Sequence, residues 1–126
     1  MKIKTSELCG TALDWAVAKC DGKDADCELH GGTVWYGRGT SGFIQYRPST
    51  NWAQGGPIIE WEGIEVLCNV SPAQAKAFKD ANPDWFACLK QKRSDHFHGP
   101  TPLIAAMRCY VASKLGDEVD VPEELV

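Results

Sequence analysis

No apolar run in this 126-residue sequence approaches the ~20 residues that a membrane-spanning helix requires. The N-terminus, Met1-Lys2-Ile3-Lys4-Thr5-Ser6-Glu7, lacks the apolar stretch of a secretory signal. An excess of basic charge is also missing: 13 Lys and Arg stand against 17 Asp and Glu, a formal net charge of −4. Duplex DNA is a dense polyanion whose binders carry a basic face, so nucleic acid is a disfavoured partner. The one basic cluster, Lys90-Gln91-Lys92-Arg93, reads as a solvated loop. Internal repeats, low-complexity segments and a Gly-x-Ser-x-Gly nucleophile elbow are absent as well. These absences predict a cytoplasmic chain that makes no membrane contact, and they exclude the serine hydrolases built on that elbow.

What is present suits one compact domain spanning residues 1–126. A chain of this length buries roughly two-thirds of its unfolded surface, enough to stand without metal or disulfide. Apolar residues make up 44%, five of them tryptophan, so there is ample side-chain area for a core. The six cysteines (Cys9, Cys20, Cys27, Cys68, Cys88 and Cys109) read as packed, reduced thiols, as cytosolic thiols normally are.

Along the chain, Thr5 or Ser6 can cap a helix running to about Cys20, with Leu8, Ala12, Trp15 and Ala16 on one face and Asp14 pointing away from it. Residues 21–42 are rich in Gly, Asp and Thr and read as a long loop with a short strand at Thr33–Tyr36. Phe43–Arg47 alternates as a strand does and stops at Pro48. From Ser49 to Gly63, Gly55-Gly56-Pro57 predicts two short helical pieces with a glycine joint, the first capped by Ser49 or Thr50. Ile64–Val70 and Trp85–Leu89 are strand candidates. A helix capped by Ser71 and beginning at Pro72 is expected between them, and a polar loop follows from Lys90 to Gly99. The best-defined element is the last helix. Thr101 caps it, Pro102 takes its first position, and Leu103, Ile104, Met107, Tyr110, Val111 and Leu115 form an apolar stripe that ends at Gly116. Arg108 lies at the edge of that stripe. The tail from Asp117 is expected along the surface, with Val119 and Val121 touching the sheet. Helices and strands in this mixture predict an α+β fold whose sheet, mostly antiparallel or mixed, is covered by the N-terminal and C-terminal helices.

Three segments then carry a resemblance. They are Glu7-Leu8-Cys9-Gly10 with Ala12-Leu13-Asp14-Trp15-Ala16-Val17-Ala18-Lys19; Pro48-Ser49-Thr50-Asn51-Trp52-Ala53-Gln54-Gly55-Gly56-Pro57-Ile58-Ile59-Glu60; and Gly99-Pro100-Thr101-Pro102-Leu103-Ile104-Ala105-Ala106-Met107-Arg108-Cys109-Tyr110-Val111-Ala112, continuing to Val119. Together they resemble the NinX family of tailed phages over roughly half of the chain. The order of elements is also similar, more loosely, to the phage ABA-sandwich domain, which implies an α/β/α sandwich with helices on both faces of a sheet. The resemblance implies a phage accessory protein working in the host cell. It carries over no catalytic residue.

The candidate constellations are weighed on their chemistry. Cys27-x2-His30 and His96-x-His98 have metal-like spacing but place only one thiolate among four ligands, so no metal or other cofactor is expected. Cys109 sits inside the last helix, far from the helix start that would activate a thiol. Gly37-x-Gly39-x2-Gly42 precedes a strand rather than opening a helix, so it lacks the pole that would hold a phosphate. Glu60 and Glu62 are two apart, and a helix does not bring such a pair together. An enzyme, for example a hydrolase using Glu60 or the His96/His98 pair, therefore ranks last.

The strongest feature is the aromatic and glycine-rich segment. Tyr46, Trp52 and Gln54 surround Gly55, Gly56 and Pro57, and glycines let a partner approach the backbone. Glu60, Thr101 at the start of the last helix and Arg108 further along it complete a candidate binding surface, with Arg108 placed to meet Glu60 or an anion. Two occupants are considered: a host or phage protein bound by a non-catalytic regulator, or a small anionic, nucleotide-like ligand that the protein sequesters against host defence.

Overall fold

The computed structural model describes residues 1–37, 42–68 and 84–125. Among these residues it is an α+β fold with eight strands, β1 (Lys2–Lys4), β2 (Cys27–His30), β3 (Thr33–Gly37), β4 (Phe43–Gln45), β5 (Ile64–Cys68), β6 (Trp85–Leu89), β7 (Lys92–Gly99) and β8 (Glu118–Asp120). Three helices join them: α1 (Gly10–Cys20), α2 (Trp52–Glu62) and α3 (Pro102–Leu115). The strands do not build one sheet. They form three small antiparallel sheets, ordered β1-β8, β2-β3-β4 and β5-β6-β7.

The last helix is the hub. It packs on all three strands of the β5-β6-β7 sheet, while α1 and α2 pack against it from other sides and α1 also covers β3. The N-terminal and C-terminal helices thus cover different sheets. This central place explains why α3 is buried beyond its stripe: Ala105, Ala106 and Cys109 are as inaccessible as Leu103, Met107 and Val111. Leu8, Leu13, Val17, Val34, Ile58, Val119 and Val121 complete the core around it, and Trp15 is half-buried at its edge.

The first helix begins later than its polar residues suggest. Thr5 is buried, its hydroxyl donates to the Gly116 carbonyl at 2.6 Å, and its N–H donates to the Asp117 carbonyl at 2.8 Å. It therefore ties the two chain ends together instead of capping α1, whose N-cap is Cys9. Asp14 is also not on the outer face: it is buried.

The loop expected over residues 21–42 contains a hairpin. Gly31 and Gly32 adopt φ of +58° and +73°, the left-handed pair of a tight two-residue turn, and this pairs His30 with Thr33 and Cys27 with Tyr36. The polar stretch before α3 is likewise strand β7 and not a loop. Nearly all of it is exposed, only Phe97 and Gly99 turning inward, so it carries no apolar alternation to read.

The segment after Pro48 is a single helix, α2, capped by Asn51 and not by Ser49 or Thr50. There is no glycine joint. Pro57 sits inside the helix, and Gly63 closes it at φ +65°. The helix expected at Ser71–Pro72 lies outside the described residues, as do Arg38, Gly39, Thr40 and Ser41 of the glycine run.

Candidate functional site

The turn from β4 into α2 is held by side-chain and backbone hydrogen bonds together. The Arg47 N–H donates to Gln54 Oε1 at 2.7 Å, and Gln54 Nε2 donates to the Gln45 carbonyl at 2.8 Å. Thr50 and Asn51 both donate N–H to the Arg47 carbonyl, at 3.1 and 2.9 Å. Asn51 Oδ1 accepts from the Ala53 N–H at 2.9 Å and so caps the helix. Gln54 and Asn51 thus fix where Trp52, the first residue of α2, leaves the fold.

The start of α3 is built the same way. Thr101 Oγ1 accepts the Ile104 N–H at 3.1 Å, and Pro102 supplies a first position with no N–H to satisfy. Strand β7 reaches this turn through Gly99, where a Cβ would come within 2.7 Å of the Ala105 nitrogen. Between the two helix starts lies a cavity of about 200 Å³, lined by Ser49, Thr50, Trp52, Thr101, Pro102 and Leu103. Trp52 stands at it with 56% of its surface exposed.

Behind the cavity wall, the buried Asp14 carboxylate accepts the Ser49 N–H at 2.9 Å. Desolvation by burial raises its pKa from 3.8 to about 6, against the pull of the Ser49 hydrogen bonding and the Arg47 charge. The buried Ser49 hydroxyl lies beside that carboxylate and helps to hold its charge.

The chain's family follows from its sequence. The profile of the family described as "Bacteriophage P22, NinX" matches residues 4–114. The chain belongs to the NinX family. No curated protein matches it. The NinX match takes in both helix starts and every lining residue of the cavity, and it stops short of β8.

Of the surface read from the sequence of this NinX-family chain, the structure brings Trp52 and Thr101 to the same cavity. The other residues do different work. Tyr46 is buried and packs on Tyr36, ring centroids 6.2 Å apart. Gln54 is the clamp described above. Gly55 is buried against the Pro48 carbonyl and Leu103, Gly56 and Pro57 lie along α2, and Glu60 is exposed further down the same helix.

Arg108 meets neither Glu60 nor an open surface. Its Nε donates to the Leu8 carbonyl and its Nη1 to the His98 carbonyl, both at 2.8 Å, so it staples the approach to α1 and the end of β7 onto α3. Ser49, Thr50, Pro102 and Leu103 are not part of the surface read from the sequence, which finds the Thr101 cap but puts Ser49 or Thr50 where Asn51 caps α2. Asp14 gave no signal, because its partner lies 35 residues away.

The remaining constellations fall apart on geometry. Cys27 and His30 are three residues apart on a strand and therefore face opposite sides of β2; His30 pairs with Glu28 at 2.9 Å. His96 and His98 share a face of β7 and flank Phe86, with His98 paired to Asp84 at 2.9 Å. Both histidines are exposed. Cys109 is buried, and burial raises its thiol pKa to about 12, far from a nucleophile's range. The described cysteines are free thiols.

Proposed function

We propose that this NinX-family protein is a non-catalytic regulator, a single unit in the host cytoplasm, that binds a host or phage protein through the surface where α2 and α3 begin. One observation carries the reading: Trp52 is held more than half exposed beside a formed cavity by a turn whose backbone is pinned on both sides. Tryptophan beside a small pocket is the usual energetic centre of a protein interface, because it offers large area at little entropic cost. Pinning the turn lowers that cost further. A catalytic role finds less support. The exposed His98–Asp84 pair stands on an open strand face, and Glu60 has no acid or base partner among the described residues.

The test is capture of partners from infected cells on wild-type protein, on Trp52→Ala and on Trp61→Ala. Trp61 is the control, since it is 74% exposed on α2 yet nine positions from Trp52, about half a turn around the helix. The expected result is a partner retained by wild type and Trp61→Ala and lost, on the order of tenfold or more, with Trp52→Ala. Equal recovery on all three would remove Trp52 from the interface.

A further inference from the structure

One face of the β2-β3-β4 sheet is turned inward. Val34 is buried there beneath α1, and Leu29 and Tyr36 pack on the core. Strand alternation puts Glu28, His30, Trp35, Gly37 and Phe43 on the other face. The register sets Glu28 opposite Trp35 and Gly37 opposite Phe43, so Trp35 and Phe43 are diagonal neighbours. Gly37 decides how Phe43 lies. A Cβ there would stand 2.5–2.9 Å from three atoms of the Phe43 ring, so the ring lies down over the glycine, and the residue stays 52% exposed. Glu28, His30, Gly31, Trp35 and Phe43 together line an open recess of about 600 Å³. Among the described residues nothing comes within 4 Å of where a Gly31 Cβ would stand, so the rim at the hairpin turn is bare.

The geometry points to this recess as the seat of one arginine side chain from a polypeptide partner, its guanidinium paired with Glu28 and stacked on Trp35 and Phe43. Charge complementarity chooses the occupant. His30 Nε2 meets Glu28 Oε2 at 2.9 Å, and Oε1 has no partner among the described residues. No Lys or Arg lines the recess. Asp24 and Asp26, in the turn that enters β2, deepen the negative field around it. Elsewhere the chain lays its own lysines over aromatic rings: Lys19 Nζ stands 5.3 Å from the Trp15 centroid and Lys23 Nζ 5.8 Å from that of Tyr36. Among the described residues Trp35 and Phe43 have no such cation. A carboxylate beside two partly open rings therefore calls for one from outside. Flat rings favour a planar, weakly hydrated guanidinium over a compact ammonium. The same acidic field repels the carboxylate of a free amino acid, so the arginine is one held within a chain. These residues differ from those around Trp52, so this inference goes beyond the protein-binding reading above and can fail or stand separately from it.

The experiment is titration of isotope-labelled protein, followed by backbone amide and indole resonances, with N-acetyl-arginine methylamide, its lysine and glutamine counterparts, and free arginine, all at matched ionic strength. The capped arginine is expected to move the Glu28 and Trp35 amides and the Trp35 indole N–H saturably, in the millimolar range that suits so small a ligand. The Trp52 and Trp61 indoles, both exposed, are the internal reference and are expected not to saturate. Lysine and free arginine are expected to bind more weakly and the neutral glutamine compound not at all. Two substitutions at exposed positions isolate the contacts while the protein stays folded. Glu28→Gln removes the charge and keeps the shape, and Phe43→Leu removes a ring and keeps an apolar side chain. Each is expected to weaken capped arginine about three- to fivefold, the weight of a surface charge pair or of one cation–π contact.

Absence of a saturable response at Trp35, an equal response to the glutamine compound, or wild-type affinity in both variants would overturn the site. Lysine binding as tightly as arginine would overturn the stacked guanidinium. Free arginine binding more tightly than the capped form would overturn a polypeptide source. Capture of a partner through Trp52 is read separately, so its loss leaves this result standing and its success does not rescue it.

Discussion

Asp14 carries a carboxylate into the protein interior, and its burial outweighs every group that favours its charge. The folded pKa of about 6 lies above the ordinary 3.8, so the folded chain holds this proton more tightly than the unfolded one. Its contribution to stability is therefore fully present below pH 3.8 and is lost as pH rises through about 6. The raised pKa corresponds to roughly 3 kcal/mol. Asp14→Asn keeps an acceptor for the Ser49 N–H and removes the titration. Urea unfolding from pH 4 to 7.5 is expected to show the variant gaining on wild type as pH rises, by up to about 3 kcal/mol. A difference independent of pH would mean that Asp14 does not titrate within this range in the fold. The residue also marks a limit of sequence reading. Helical periodicity sends a charge outward, and nothing local announces an N–H donor 35 positions away. Arg108 is a similar case, since its rim position was legible and its two carbonyl partners were not.

At the scale of elements, α2 shows how tertiary contact overrides propensity. Two adjacent glycines and a proline weaken an isolated helix and suggest a break. The chain nevertheless makes one helix, because Gly55 is where α2 crosses closest to its neighbours. A Cβ there would collide with the Pro48 carbonyl oxygen and come within 2.7 Å of Leu103 Cδ2. At Gly56 the nearest atom would be Trp52 Cε3 at 4.0 Å, an ordinary contact. The same substitution should therefore act in opposite directions one residue apart. Gly55→Ala is expected to destabilise by about 1–3 kcal/mol, since backbone and a packed leucine must move. Gly56→Ala is expected to stabilise by up to about 1 kcal/mol through helix propensity and reduced unfolded-state freedom. Thermal unfolding of the two variants decides it, and the same sign for both would contradict this packing. The caps of α3 were legible, with Thr101, Pro102 and Gly116 where local chemistry puts them, whereas those of α1 and α2 fall on Cys9 and Asn51 and not on the hydroxyl residues nearby. Strand β7 was not legible, because an almost wholly exposed strand has no apolar period to show.

Across the whole molecule, a buried α3 carries the β5-β6-β7 sheet and the two other described helices, α1 covers the β2-β3-β4 sheet, and the β1-β8 pair brings the N-terminus to residues 118–121. The N-terminal ammonium meets Asp120 Oδ1 at 3.0 Å and the Val121 carbonyl at 2.9 Å beside the β1-β8 pair. The α+β class and its covering helices could be read from capping and periodicity. The division into three sheets could not, since it depends on which strands pair. The candidate site was half legible for the same reason: Trp52 and Thr101 are marked by local signals, whereas the cavity between them exists only once α2 lies against α3. The central claim is that this cavity rim is where a partner docks. A photo-crosslinking residue at Thr50, exposed at the rim, compared in infected cells with one at Lys92, exposed on β7, tests it most directly. The account predicts a discrete crosslinked species from position 50 that is absent from position 92 and abolished by Trp52→Ala. Crosslinking from position 92 alone, or a species from position 50 that survives Trp52→Ala undiminished, would contradict it.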